Sequence, residues 1–334
     1  MQTSPMINCH LNCCENWRNI MRKLMAVIAL TLSFTGVSKA ADIVIGTPNW
    51  PSVQITGHIL KTIIEENIGL DVEIQTSTNP IVFEAMDKGA MHAHPEVWIP
   101  NQQNLHDTFV VENGTVARNE NGVAAFQGIC VHQSVADQGV TSIFDLSDPT
   151  IAEMFDTNGD GRGEVWIGAS GWASTNVERI KAKSYGYDQT MELLEMDETL
   201  AYAGLDNAIE QGQPWVGFCY TPHYLFAKHD MFPLEEPPFD AAQWNVIQPT
   251  DDPAWLEKSS APVAWDLAYL HLYYAKSVET DYPEVATLFK GMKLDTETVS
   301  EMTRAVVVEG RDNEEFAQEW VAQNQDLIIE WLTN

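Results

Sequence analysis

Trp50 in Pro-Asn-Trp-Pro, Trp98 in Glu-Val-Trp-Ile-Pro, Trp172 in Ser-Gly-Trp-Ala-Ser and Tyr220 in Cys-Tyr-Thr-Pro-His share a context. Each is a large ring beside Pro, Gly or Asn, outside any periodic apolar run. Core aromatics sit inside such runs, as Trp320 and Trp331 do. Rings in loops at strand ends line clefts, and several facing one another enclose a quaternary ammonium through cation–π attraction. The four together point to a box for a methylated cation. Beside Trp172, Thr175-Asn176-Val177-Glu178 reads as a capping box that opens a helix. The free backbone N–H groups there, from Ala173 and Ser174 to Asn176, and the helix dipole favour a negative oxygen. A cation box adjoining a helix N-terminus suits a small zwitterion.

Oxygen donors recur at Asp156, Asn158, Asp160 and Glu164, which are positions 1, 3, 5 and 9 of a calcium loop. Gly161 takes the turn position and the Arg162 carbonyl position 7, while Ile167 replaces the bidentate Glu of position 12. The reading is a structural calcium ion with its other ligands from elsewhere; the alternative is a turn with local hydrogen bonds. His92, His94 and Glu96 alternate, so a strand would put them on one face, where satisfied or surface histidines are a better reading than metal ligands. Enzymatic patterns fail. Gly168-Ala169-Ser170-Gly171-Trp172 has Trp where a nucleophile elbow requires its final Gly, and neither a phosphate-binding loop nor His-Glu-x-x-His occurs. A secreted calcium-dependent hydrolase using carboxylates is the rival reading, and a binding protein for sugars or amino acids is a third. The amino-acid reading is weakened by the lack of an Arg near these motifs.

These residues need strands and helices to hold them. Asp42 to Thr47 reads as a strand, with Ile55, Ile59, Ile63 and Ile64 spaced for a following helix. A strand at Asp71–Gln75 and a short helix at Pro80–Lys88 continue the alternation, and residues 125–132 and 164–168 read as strands of a second such stretch. The tail from Asn313 to Trp331 is helical by spacing. The expectation is two α/β lobes, each a mostly parallel sheet flanked by helices, with the ligand in the cleft between them. Residues 41–124 and 255–334 form one lobe and 125–254 the other.

The chain has 334 residues, 18 Lys+Arg against 48 Asp+Glu and a net charge of −30. Two domains of ordinary size fit that length. The charge excludes a nucleic-acid binder, which needs a basic face, and disfavours an anionic membrane surface. Met21, Arg22 and Lys23 precede the apolar run Leu24 to Phe34, and Ser38 and Ala40 stand at the small-residue positions of a cleavage site. Residues 1–40 are thus a non-mature leader with a signal peptide at about 21–40, cleaved near Ala40. Met21 is the expected initiator rather than Met1. Of the cysteines, only Cys130 and Cys219 lie beyond the leader, either as a disulfide or as two buried thiols.

The run from Asp148-Pro149 through Phe155 and Asp156 to Gly161 resembles the glycine-betaine-binding proteins of ABC importers. So do Trp98-Ile99-Pro100, Gly171-Trp172 and Tyr220-Thr221-Pro222. The resemblance implies a monomeric two-lobed periplasmic protein, not an enzyme, that closes on its ligand and delivers it to a membrane permease. It implies that Trp98, Trp172 and Tyr220 enclose a trimethylammonium group and that the backbone of Ala173 and Ser174 holds a carboxylate. Gln102 stands where that family has a ligand-binding His. The chain is also similar to trimethylamine N-oxide-binding proteins of marine bacteria. Trimethylamine N-oxide is the first expected ligand and glycine betaine the second, with choline and carnitine behind them and Trp50 as a fourth wall.

Overall fold

The computed structural model describes residues 40–333. The leader and start-site expectations fall on residues 1–39, outside the described residues. Strand β1 (Ile43–Thr47) runs through Pro48 and Asn49 into helix α1 (Pro51–Ile63). Pro51 occupies the first turn, where the missing N–H has no intrahelical partner to lose. There follow β2 (Val72–Thr76), α2 (Asn79–Asp87), β3 (Ala93–Ile99), β4 (Val116–Arg118) and β5 (Val123–His132). The middle of the chain supplies β6 (Gly163–Gly168), α3 (Ala173–Tyr185), β7 (Met191–Glu195), α4 (Glu198–Gln211), β8 (Val216–Thr221) and β9 (Met231–Pro233). Strand β10 (Ala268–Ala275) and helices α5 (Pro283–Gly291), α6 (Thr296–Val307), α7 (Asn313–Gln323) and α8 (Gln325–Thr333) complete it.

The strands join in the order β2-β1-β3-β10-β5-β8-β6-β7. At the two ends, β2, β1 and β3 are parallel, as are β8, β6 and β7. The middle is antiparallel, so each lobe has a mixed sheet with its parallel strands toward the outer end. Strand β5 serves both: Ala124 and Ala125 pair with β10, and Phe126 to Val131 pair with β8. Apolar side chains gather in two clusters, one around α1, β1 and the C-terminal helices, the other around β5, β6, β8 and α3.

Residues 245–265 pack along α3, where Ala261 N–H donates to Ser184 and the Trp265 indole donates to Glu178 (2.7 Å). One boundary differs from expectation. The C-terminal helix is broken at Asn324, whose side chain donates to the Trp320 carbonyl and ends α7. Trp320 and Trp331 then stack across the break at 6.1 Å. Among the described residues no helix is long and apolar enough to cross a membrane.

Cys130 on β5 and Cys219 on β8 form a disulfide, which resolves the choice left open by the sequence. Its Cα atoms are 5.8 Å apart, and both residues are fully buried.

Candidate ligand-binding site

In open α/β sheets, ligands bind beyond the carboxyl ends of parallel strands. Strands β1, β3, β6 and β8 each deliver one aromatic there: Trp50 just after β1, Trp98 near the end of β3, Trp172 after β6 and Tyr220 near the end of β8. The turn that delivers Trp172 depends on Gly168, at φ +124°, where an added Cβ would lie 2.3 Å from Thr175 Oγ1. Cis peptide bonds follow Trp98 and Tyr220, at Ile99–Pro100 and Thr221–Pro222.

The four rings stand edge to face in a chain. Trp50 meets Trp172 at 6.0 Å and 84°, Trp172 meets Tyr220 at 6.1 Å and 84°, and Tyr220 meets Trp98 at 5.3 Å and 88°. With Asn79, Asn101, Gln102, Gln127, Ala173, Ser174 and Phe218 they line one cavity of about 350 Å³. The structure thus brings Trp50, Trp98, Trp172, Tyr220, Ala173, Ser174 and Gln102 together. The lining holds no Lys or Arg among the described residues.

The polar supports explain the ring positions. The indole N–H groups of Trp50 and Trp98 and the Ser52 hydroxyl all donate to one oxygen of Glu96. Burial pushes the Glu96 carboxyl up to about 7, against the pull of those hydrogen bonds, and the charge of Glu198 adds to the rise. Across the cleft the Tyr220 hydroxyl donates to Glu198 (2.6 Å), and burial, then the charge of Glu198, raises the phenol well above its usual range. Burial also holds His94 down to about 3, so its imidazole is neutral. Its Nδ1 accepts from Glu96 N–H, so Nε2 carries the proton and donates to the Asn79 carbonyl oxygen at 2.8 Å. That leaves the Asn79 amide N–H groups as the end available to the cavity. Asn101 and Gln127 exchange reciprocal amide hydrogen bonds at 2.6 and 2.9 Å.

Asn79, Asn101, Gln127 and Phe218 escape the sequence reading. Only Asn79 carried a signal, as the residue before Pro80 at a helix start. Glu96 and His94 are satisfied side chains rather than metal ligands, and His92 Nδ1 accepts from Val44 N–H.

One motif reading changes. Helix α3 begins at Ala173, with Trp172 at its N-cap, so Thr175 and Glu178 do not form a capping box. Thr175 lies one turn too late. Its hydroxyl donates back to the Ala169 carbonyl, and Glu178 is drawn to Trp265 and Lys181. The N–H groups without an intrahelical partner still include those of Ala173 and Ser174, and both residues line the cavity. In the loop read for calcium, Asp156 accepts from the N–H groups of Gly159 and Gly161, Asn158 from Asp160, Asp160 from Arg162, and Glu164 from Thr157. The Arg162 guanidinium donates to the carbonyls of Asp188 and Met191. Among the described residues no three His, Cys, Asp or Glu are gathered so as to hold a metal ion. The loop closes on itself through hydrogen bonds.

Residues 41–323 match the family of substrate-binding domains of ABC-type glycine betaine transport systems. The glycine betaine/proline betaine-binding periplasmic protein of Salmonella typhimurium is 23% identical over 258 residues, covering 70% of this chain and 72% of the relative. Among solved structures, the ProX protein of Borrelia burgdorferi superposes with a TM-score of 0.69 at 17% identity, over 87% of this chain and 97% of that one. Lactococcal OpuAC, solved in its closed form with glycine betaine, gives 0.66 at 18% identity, over 87% and 99%. At such identities the structures speak for the two-lobed fold.

Proposed function

This chain belongs to the substrate-binding domains of ABC-type glycine betaine transport systems, and from that premise we propose that it captures a small trimethylammonium compound in the four-ring cage. The chain of edge-to-face contacts from Trp50 through Trp172 and Tyr220 to Trp98 carries this reading. A methylated cation cannot accept hydrogen bonds, so ring faces are its natural partners, and each desolvated cation–π contact contributes about 2 kcal/mol. Several such contacts support micromolar binding after the costs of closure. The negative end of the ligand meets neutral donors: the N–H groups of Ala173 and Ser174 at the start of α3, and the Asn79 amide. Trimethylamine N-oxide is our first candidate because the cavity is small and the chain strongly acidic. Glycine betaine is the second, favoured by the family.

Closure brings the lobes together, with hydrogen bonds from Asn49 to Asp197 (3.1 Å) and from Asn104 to Asp251 (3.0 Å) bridging the cleft rim. The closed protein then delivers its cargo to the permease from the periplasm, after export by the leader, and acts without turnover.

The testing experiment is a titration with trimethylamine N-oxide, glycine betaine, choline and carnitine, followed by tryptophan fluorescence and calorimetry. A saturable change with the N-oxide or betaine is expected, and silence with all four removes the proposal. Asn79→Leu should weaken the N-oxide about tenfold, the worth of one hydrogen bond to a charged group, while sparing tetramethylammonium, which has no oxygen. Equal loss for both would remove Asn79 from the ligand's negative end. For calcium at Asp156–Glu164, the sequence spacing is the whole support. A fall in melting temperature on treatment with chelator is its expected signature, and an unchanged value leaves the loop a hydrogen-bonded turn.

A further inference from the structure

One carboxylate oxygen anchors two cage walls. Glu96 Oε1 accepts from Trp50 Nε1 at 2.7 Å, Ser52 Oγ at 2.8 Å and Trp98 Nε1 at 2.9 Å. Its residue is 4% exposed and stands behind the rings, outside the cavity lining. The other lobe repeats the arrangement, for Glu198 Oε1 accepts from Tyr220 and lies 3.0 Å from His223 Nε2. A neutral acceptor would satisfy an indole N–H as well. A buried carboxylate is costly unless something compensates its charge. Hydrogen bonds from neutral donors compensate only part of it, and a cation held on the far side of the same rings would compensate the rest.

We propose that Glu96 is a positioning residue that also charges the cage: its carboxylate sets the Trp50 and Trp98 indoles and stabilises the bound cation through them, so that the site selects a positive head over an uncharged one of the same shape. The inference rests on the trimethylammonium reading and adds the source of charge selectivity to it.

The surroundings of Glu96 give the direction of its pH response. On its own strand, His94 is neutral. From the start of α1 come only the neutral donors Trp50 and Ser52, and from the other lobe comes Glu198, with Tyr220 and His223 about it. In the empty cage burial and Glu198 hold the Glu96 proton on to about pH 7. A cation between the two carboxylates favours ionisation, so binding releases that proton and affinity rises as pH rises through 7.

The test uses glycine betaine and 3,3-dimethylbutanoate, which has the same shape and carboxylate but a carbon in place of the nitrogen. Between pH 6 and pH 8 the ionised fraction of a group titrating near 7 grows about tenfold, so wild-type affinity for betaine should rise about tenfold, while that for the isostere stays level. Glu96→Gln keeps an oxygen for the indoles and removes the charge. It should flatten the betaine profile and narrow the preference for betaine over the isostere by about tenfold at pH 8. A wild-type protein that binds betaine with a flat profile overturns the inference and leaves the trimethylammonium reading standing. So does a Glu96→Gln protein in which both ligands lose affinity equally, which is the mark of a purely structural role. The wild-type profile stands alone as a test if the variant fails to fold. A wild-type protein that binds no trimethylammonium probe at any pH overturns both.

Discussion

Trp172→Ala is expected to weaken binding of the trimethylammonium ligand by at least about thirtyfold while moving the melting temperature by only a few degrees. Trp172 touches a first-lobe wall, Trp50, and a second-lobe wall, Tyr220, and its removal opens the cage in the middle. One desolvated cation–π contact of about 2 kcal/mol corresponds to roughly thirtyfold in affinity. Water entering the breach weakens the remaining contacts further. The ring borders a cavity on one side, so its loss forfeits less packing than a fully enclosed Trp would. It still leans on Trp166 at 6.1 Å, and Trp172→Phe should therefore recover part of both affinity and stability. Isothermal titration beside differential scanning calorimetry separates the two effects. Affinity within threefold of wild type would remove Trp172 from the cage.

The second large effect concerns stability alone. Replacing Cys130 and Cys219 together by Ala should lower the melting temperature by roughly 3–7 °C, from a loss of about 2–4 kcal/mol. The bond closes a separation of 89 residues and ties β5 to β8 one residue before Tyr220. A cross-link over that length removes much freedom from the unfolded chain and leaves the folded one little changed. Reducing agent should reproduce the shift in the wild type and have no effect on the double variant. Equal melting temperatures for wild type and variant would show that the sheet gains nothing from the bond.

The four aromatics that line the cavity could be picked out in the sequence because a ring beside Pro or Gly, outside a periodic run, has few structural reasons to be there. The β1–α1, β2–α2 and β6–α3 alternation was visible for the usual reason, a change of apolar period from two to nearly four. What the sequence hid depends on distant partners. Glu96 resembles a strand-face acid until Trp50 and Trp98 are folded against it, 46 and 2 residues away. Asn79 becomes a donor only because His94 occupies its oxygen. The pattern Thr175-x-x-Glu178 satisfies the local rule for a cap, and Trp265, 87 residues on, overrides it. Lys181 looks like the solvent face of α3, yet it is fully buried, paired with Glu236 at 2.7 Å and set over the Trp265 ring. Helix period identifies a buried face only when that face is apolar.

The first lobe is built from both ends of the chain. Its sheet needs β10, and α7 packs directly on α1 while α8 lies against α5, where a Cβ on Gly291 would meet the Trp331 backbone at 2.4 Å. The opening strands and helix therefore cannot bury their apolar faces until the last fifth of the polypeptide has been made. The second lobe draws β5 to β9 from one continuous stretch and is free of that delay. Contacts so far apart in sequence are slow to form because the intervening loop must close first. A nascent chain of this design emerges from the ribosome with its leading segment still unpaired.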